Sequence, residues 1–181
     1  LAALSYGASA LWLLVTPGVP VSVMTAIEAQ VNIARAILEG MGYPAEVLQI
    51  SGTDAGALSQ LFDSRLPVFA EDYAEFAELE EKRTVIRLAV DNLYEQAPAP
   101  RPLVSLPAGS PFGDVDVSAE RCTLCIDCVS LCPDYALSSG GEMPNLKFIE
   151  ANCVQFGLCC RFCHEDAISA SQRFLYDAAK R

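Results

Sequence analysis

Cys122-Thr-Leu-Cys125-Ile-Asp-Cys128-Val-Ser-Leu-Cys132-Pro133 carries a thiol at every third residue, a fourth after three more, and then a proline. A compact loop with that C-x2-C-x2-C-x3-C-P spacing can offer three thiolates to three corners of one iron–sulfur cube while its backbone N–H groups face the sulfides. The fourth cysteine leaves in another direction, toward a different cluster. The chemistry implied is the movement of single electrons.

A second cysteine group follows, with Cys153, Cys159, Cys160 and Cys163. It repeats the first: Cys132-Pro-Asp-Tyr-Ala-Leu137 matches Cys163-His-Glu-Asp-Ala-Ile168, and positions 122 and 153 are 31 residues apart. Each half reads as strand, cysteine loop, short helix and return strand, and two such halves related by an approximate twofold would enclose two sites. All eight cysteines lie from Cys122 onward, with none in the first 121 residues. A disulfide framework rarely recurs at every third position, so metal ligation explains the clustering better. Paired C-x2-C zinc sites are the competitor; the third cysteine in phase and Pro133 both count against zinc. Thiolates awaiting a cluster must stay reduced, which places the expected compartment in the cytosol.

The formal charge of −11 argues against a nucleic-acid partner, whose phosphates need Lys and Arg. It suits a redox partner with a basic docking face, and equally a chain kept soluble by its charge. Hydrophobic residues make up 52%, enough for a core outside the cysteine region. Leu11–Met24 is apolar but is broken by Pro17-Gly18 and Pro20, so no membrane span is expected there. Leu1, in place of a methionine, opens what reads as a helix end, Leu1–Tyr6, which suggests a piece of a longer protein.

Toward the amino end, Ala10–Val15 reads as a buried strand. Thr25 and Glu28 give a capping signal for a helix that carries Ile27, Val31, Ala34, Leu38 and Met41 and stops at Gly40, Gly42 and Pro44. Glu46–Ile50 reads as a second strand, followed by a loop at Ser51–Asp54 and a short helix to about Phe62. This order predicts a partial parallel α/β layer. Pro67 to Gln96 reads as one long helix or two, with an apolar stripe (Phe69, Tyr73, Phe76, Ile86, Val90, Leu93) and an acidic face (Glu71, Asp72, Glu75, Glu78, Glu80, Glu81). That face reads as a solvated helix side or a docking surface. The expected organisation is 1–96 as a partial α/β plus helical domain, 97–112 as a Pro-rich linker, 113–176 as a two-site domain, and 177–181 as a tail. The fold class is α+β.

The residues Cys122–Leu137 resemble the first half of a two-cluster, bacterial-type ferredoxin domain. Asn152-Cys153-Val-Gln-Phe-Gly-Leu-Cys159 and Cys163–Ile168 resemble the second half, and the likeness covers about residues 112–176. It implies a ferredoxin-like pseudo-twofold fold in which each motif gives its fourth cysteine to the other cluster. Cluster I, a [4Fe–4S] centre, then takes Cys122, Cys125, Cys128 and Cys163. Cluster II takes Cys132, Cys153 and Cys159, but its fourth position is Phe156, which cannot ligate iron. Four outcomes stay open there: a [3Fe–4S] cluster, a [4Fe–4S] cluster with a foreign ligand, replacement by Cys160, or an empty site. His164 stands where Pro133 stands in the first motif and reads as its replacement. The preceding region more faintly resembles the delta-subunit type of domain found with hydrogenases and heterodisulfide reductases, without that domain's cysteines.

The resemblance implies an electron carrier between redox proteins, or else the electron-input subunit of a larger oxidoreductase. No intrinsic catalysis is expected. The only histidine is His164, so no Ser-His-Asp or Cys-His set can form, and the Ser51–Gly56 turn lacks Walker A or dinucleotide spacing.

Overall fold

The computed structural model describes residues 1–56, 58–59, 72–76, 81–140 and 145–181. The chain is mixed α and β with small sheets, compatible with α+β, and divides into two compact units, Leu1–Arg101 and Pro102–Arg181.

In the first unit a short helix α1 (Ala2–Ser5) leads to strand β1 (Leu11–Val15), helix α2 (Val21–Gly40) and strand β2 (Leu48–Gly52). β1 and β2 pair in parallel, Leu11 opposite Leu48 through Val15 opposite Gly52. α2 buries Val31, Ile33, Ile37 and Leu38. It begins four residues before the expected capping signal, because Pro20 occupies the N-cap; the Thr25 hydroxyl donates back to the Val21 carbonyl inside the helix at 3.1 Å instead of capping it. By length and composition α2 meets the measure of a membrane-crossing helix, with 22% of its most apolar window buried, a signature it shares with core helices of soluble proteins. This helix overlaps only the last four residues of the apolar stretch Leu11–Met24.

After α2, Gly42 has φ +86°, a conformation that suits glycine. A Cβ there would stand 2.9 Å from the Ala99 nitrogen. That close approach lets the N–H of Ala99 donate to the Met41 carbonyl at 3.1 Å and that of Arg101 to the Gly40 carbonyl at 3.0 Å. The Tyr43 hydroxyl reaches the Leu93 carbonyl at 2.9 Å. These bonds fix helix α3 (Lys82–Glu95), which buries Ala89, Val90 and Leu93 and packs against α1.

The expected helix across 67–96 is corrected. Asp72–Phe76 is not helical; the Gln96 side chain accepts from the Asp72 N–H at 2.9 Å and donates to its carbonyl at 2.7 Å, holding the segment in an extended path. Among the described acidic residues, Asp72 and Glu75 therefore do not lie on a helix. Phe69, Glu71, Glu78 and Glu80, and most of the short helix expected to Phe62, lie outside the described residues.

The second unit has strands β3 (Leu103–Ser105), β4 (Gly113–Val117), β5 (Leu137–Ser139), β6 (Leu146–Phe148) and β7 (Ile168–Leu175), with one-turn helices α4 (Asp127–Ser130) and α5 (Leu158–Arg161). β7 is flanked by β3 and β4, both antiparallel to it, and β5 pairs with β6. β3 lies inside 97–112, so the later part of that stretch belongs to a sheet and is not free linker. The expected tail ends in a turn of 3-10 helix, Ala178–Lys180.

Arg173 on β7 spans Asp114 on β4 at 2.8 Å and Glu150 at 2.7 Å. Glu150 is only 5% exposed. Removing the guanidinium takes away the charge partner of a buried carboxylate, which is costly. Because Arg173 itself is partly exposed, Arg173→Met is expected to destabilise this unit by about 2 kcal/mol, readable as a lower urea midpoint.

Candidate functional site

The two cysteine loops obey one 31-residue repeat in their backbone. Residues with positive φ recur at 124 and 155, 126 and 157, 135 and 166. α4 and α5 stand at the same offset, 127–130 and 158–161. Pairing crosses between the halves. Val117 faces Ile168 while Phe148 faces Leu137, and the Ser118 N–H donates to the Ala167 carbonyl as the Ile149 N–H does to that of Ala136, each at 2.8 Å. The first strand of each half is thus completed by the last strand of the other.

Leu124 and Ile126 hold φ of 56° and 67° without being glycine. Such positions cost about 1–3 kcal/mol each and persist where the surroundings demand them. Left-handed residues alternating with ordinary ones curl the chain so that successive N–H groups face one concavity, the nest geometry that receives anions. Both loops have it, with Gln155 (φ 59°) and Gly157 (φ 72°) in the second. The carboxyl-side cysteines accept matching bonds: the Ala136 N–H donates to Cys132 Sγ at 3.2 Å, and the Ala167 N–H to Cys163 Sγ at 3.3 Å.

Two thiol trios emerge. Burial raises the pKa of Cys128 most, followed by the charges of Cys125, Cys159 and Cys122. Burial raises that of Cys153 too, with Cys159 and Cys132 adding to it. Cys159 is pushed up to about 11, by burial first and then by Cys160, with Cys132 contributing. Cys122, Cys125 and Cys128 therefore share one neighbourhood, and Cys132, Cys153 and Cys159 another. The two adjoin through Cys128 and Cys159. Cys163 is half-buried against the apolar cluster of Val115, Ala136, Cys153 and Ile168, on which Cys128, Cys132, Cys159 and Cys160 also pack.

A small pocket of about 30 Å³, open to solvent on one side, is lined by Cys132, Cys153 and Cys159, with Phe156 also on its wall. Phe156 is 66% exposed, so much of its ring faces solvent. Cys160 does not line this pocket, although its Sγ lies 4.0 Å from that of Cys159. The two neighbouring thiols do not diverge as adjacent side chains usually do. His164 is exposed, as is Cys125.

Among the described residues, no group of three or more His, Cys, Asp or Glu side chains converges as a single metal ion requires. A tetrahedral zinc needs all its sulfurs about 2.3 Å from one point. An inorganic cube, with iron at its corners, takes more widely spaced thiols and carries negative charge. Alternate left-handed backbone positions and an N–H group donating to the carboxyl-side cysteine sulfur recur in both loops, whose thiols range from exposed Cys125 to buried Cys153.

In cluster-free protein at about pH 8, Cys159 is expected to alkylate about tenfold more slowly than an ordinary thiol of pKa 9.0, because its about hundredfold smaller thiolate fraction is partly offset by the greater nucleophilicity of that thiolate. Time-resolved alkylation with mass spectrometry reads this directly. The same shift makes loading pH-dependent, since ligation removes the proton.

Sequence reasoning did not find Gln155, Gly113 or the Arg173 bridge. Their roles come from contacts between residues far apart in the chain, and no local pattern marks them. No family model matches the chain, and no curated protein matches it.

Proposed function

We propose that residues 102–181 form a two-site iron–sulfur electron carrier of the bacterial ferredoxin type, relaying single electrons between redox proteins. The observation that carries this reading is the recurrence, at one 31-residue offset, of left-handed nest positions around the two thiol trios. When bound, the clusters supply reversible one-electron reduction.

The chain's own residues do the rest. Cys122, Cys125, Cys128 and Cys163 hold site I as [4Fe–4S]. Cys132, Cys153 and Cys159 hold site II, which lacks a protein ligand at Phe156 and is [3Fe–4S] or a [4Fe–4S] centre with a foreign ligand. Loop N–H groups stabilise negative charge, and Val115, Ala136 and Ile168 exclude water from the space between the sites. Cys128 and Cys159, close enough to feel each other's charge, give the short path between them.

A second reading, the electron-input subunit of a larger oxidoreductase, draws support from exposed apolar residues of the first unit. Leu14 is 50% exposed and Val21 82%, which suits a unit that docks on another subunit.

The test is low-temperature electron paramagnetic resonance of anaerobically purified protein through a reductive titration. Signals that appear and vanish reversibly with one-electron stoichiometry support the carrier. Bound iron that never changes redox state would refute it.

A further inference from the structure

Gln155 breaks the repeat at the site itself. Its counterpart in the first half is Leu124, which has the same left-handed backbone and no polar group. The Gln155 side-chain nitrogen, Nε2, lies 3.4 Å from Cys153 Sγ and 3.3 Å from the Asp114 carbonyl oxygen, donating to both. The amide can lie there because residue 113 is glycine: a Cβ at Gly113 would stand 2.7 Å from both Cδ and Nε2 of Gln155. The other amide atom, Oε1, is buried without a hydrogen-bond partner. An unpaired buried oxygen costs stability, so the amide is held in place by what its nitrogen contacts. Cys153 is also the most buried of the cysteines, at 9% exposed, where a donor added to that of the Gln155 backbone N–H has a strong electrostatic effect.

We propose that Gln155 is a positioning residue that tunes site II, setting its reduction potential above the value that the shared loop geometry would give. This rests on the iron–sulfur reading of the site. Hydrogen bonds to ligand sulfur are among the determinants of cluster potential. A donor withdraws negative charge from the thiolate and so favours the reduced, more negative state. The Ala136 and Ala167 N–H bonds occur in both halves and cancel in the comparison, whereas the Gln155 bond belongs to site II alone.

The experiment is a potentiometric titration, followed by electron paramagnetic resonance, of the wild type, Gln155→Leu and Gln155→Glu. Iron content is measured first in each. Loss of the donor is expected to weaken reduction at one site about tenfold, about 59 mV for one electron, while the other midpoint stays put. The carboxylate variant, which accepts hydrogen bonds and cannot donate them, should fall at least as far. Gln155→Asn, whose shorter side chain withdraws the amide from Cys153, is read instead if the leucine protein does not load site II. Two unchanged midpoints in loaded variants would overturn the role of Gln155 and leave the carrier intact. Wild-type protein without iron would instead overturn the underlying reading.

Discussion

Cys163→Ala is expected to empty the site of Cys122, Cys125 and Cys128, in the opposite repeat, with a loss of about four iron atoms per chain. The reason is the crossing of the chain. β7, which follows Cys163 directly, pairs with β4 of the first half, and β5, which follows Cys132, pairs with β6 of the second. A cysteine at the end of one loop is thereby delivered toward the other half. Cys132→Ala should do the reverse, and more severely, because site II has Phe156 in place of a fourth thiol and would keep only Cys153 and Cys159. Cys160→Ser should leave the iron count unchanged, since Cys160 does not line the site II pocket. Iron analysis paired with paramagnetic resonance of the reduced proteins separates these results. Loss of the second signal in Cys163→Ala would mean that each loop keeps its own fourth cysteine.

Phe174→Ala is expected to destabilise the second unit by about 3–5 kcal/mol. Phe174 is 1% exposed and packs edge-on against Phe112 at 5.2 Å and tilted against Tyr176 at 5.4 Å, with the Arg181 guanidinium 5.5 Å from its ring centre. It also sits on the strand that joins β3 and β4 into one sheet. Truncation leaves a cavity beside two aromatic rings, with little nearby to collapse into it. Against a typical total of about 5–15 kcal/mol, that loss should lower cluster retention as well. Urea unfolding of anaerobic protein measures it, and a midpoint equal to wild type would show that the aromatic cluster contributes little.

Local patterns were legible where the physics is local. The apolar run before Thr16-Pro17-Gly18 became β1, the glycines after residue 39 ended α2, and the two cysteine groups stand on the same strand, loop and helix order in both halves. The start of α2 was misread because Thr25 and Glu28 look like a cap, yet Pro20 supplies a preset φ one turn earlier. The break before α3 was invisible because it depends on Gln96 capturing Asp72 from 24 residues away. β3 was hidden inside a proline-rich stretch, since its only partner is β7, far along the chain. Left-handed backbone at Leu124 and Ile126 had no sequence signal, as neither is glycine. Phe156 stands out in the sequence as a non-thiol at a position where the repeat expects cysteine, whereas the placement of the Gln155 amide against Gly113 depends on residues far apart in the chain and leaves no local pattern.

The most direct measurement is the iron, zinc and acid-labile sulfide content of anaerobically purified protein. About seven or eight irons per chain with about eight sulfides are expected, seven irons marking a three-iron site II. About two zinc ions and no sulfide would contradict it.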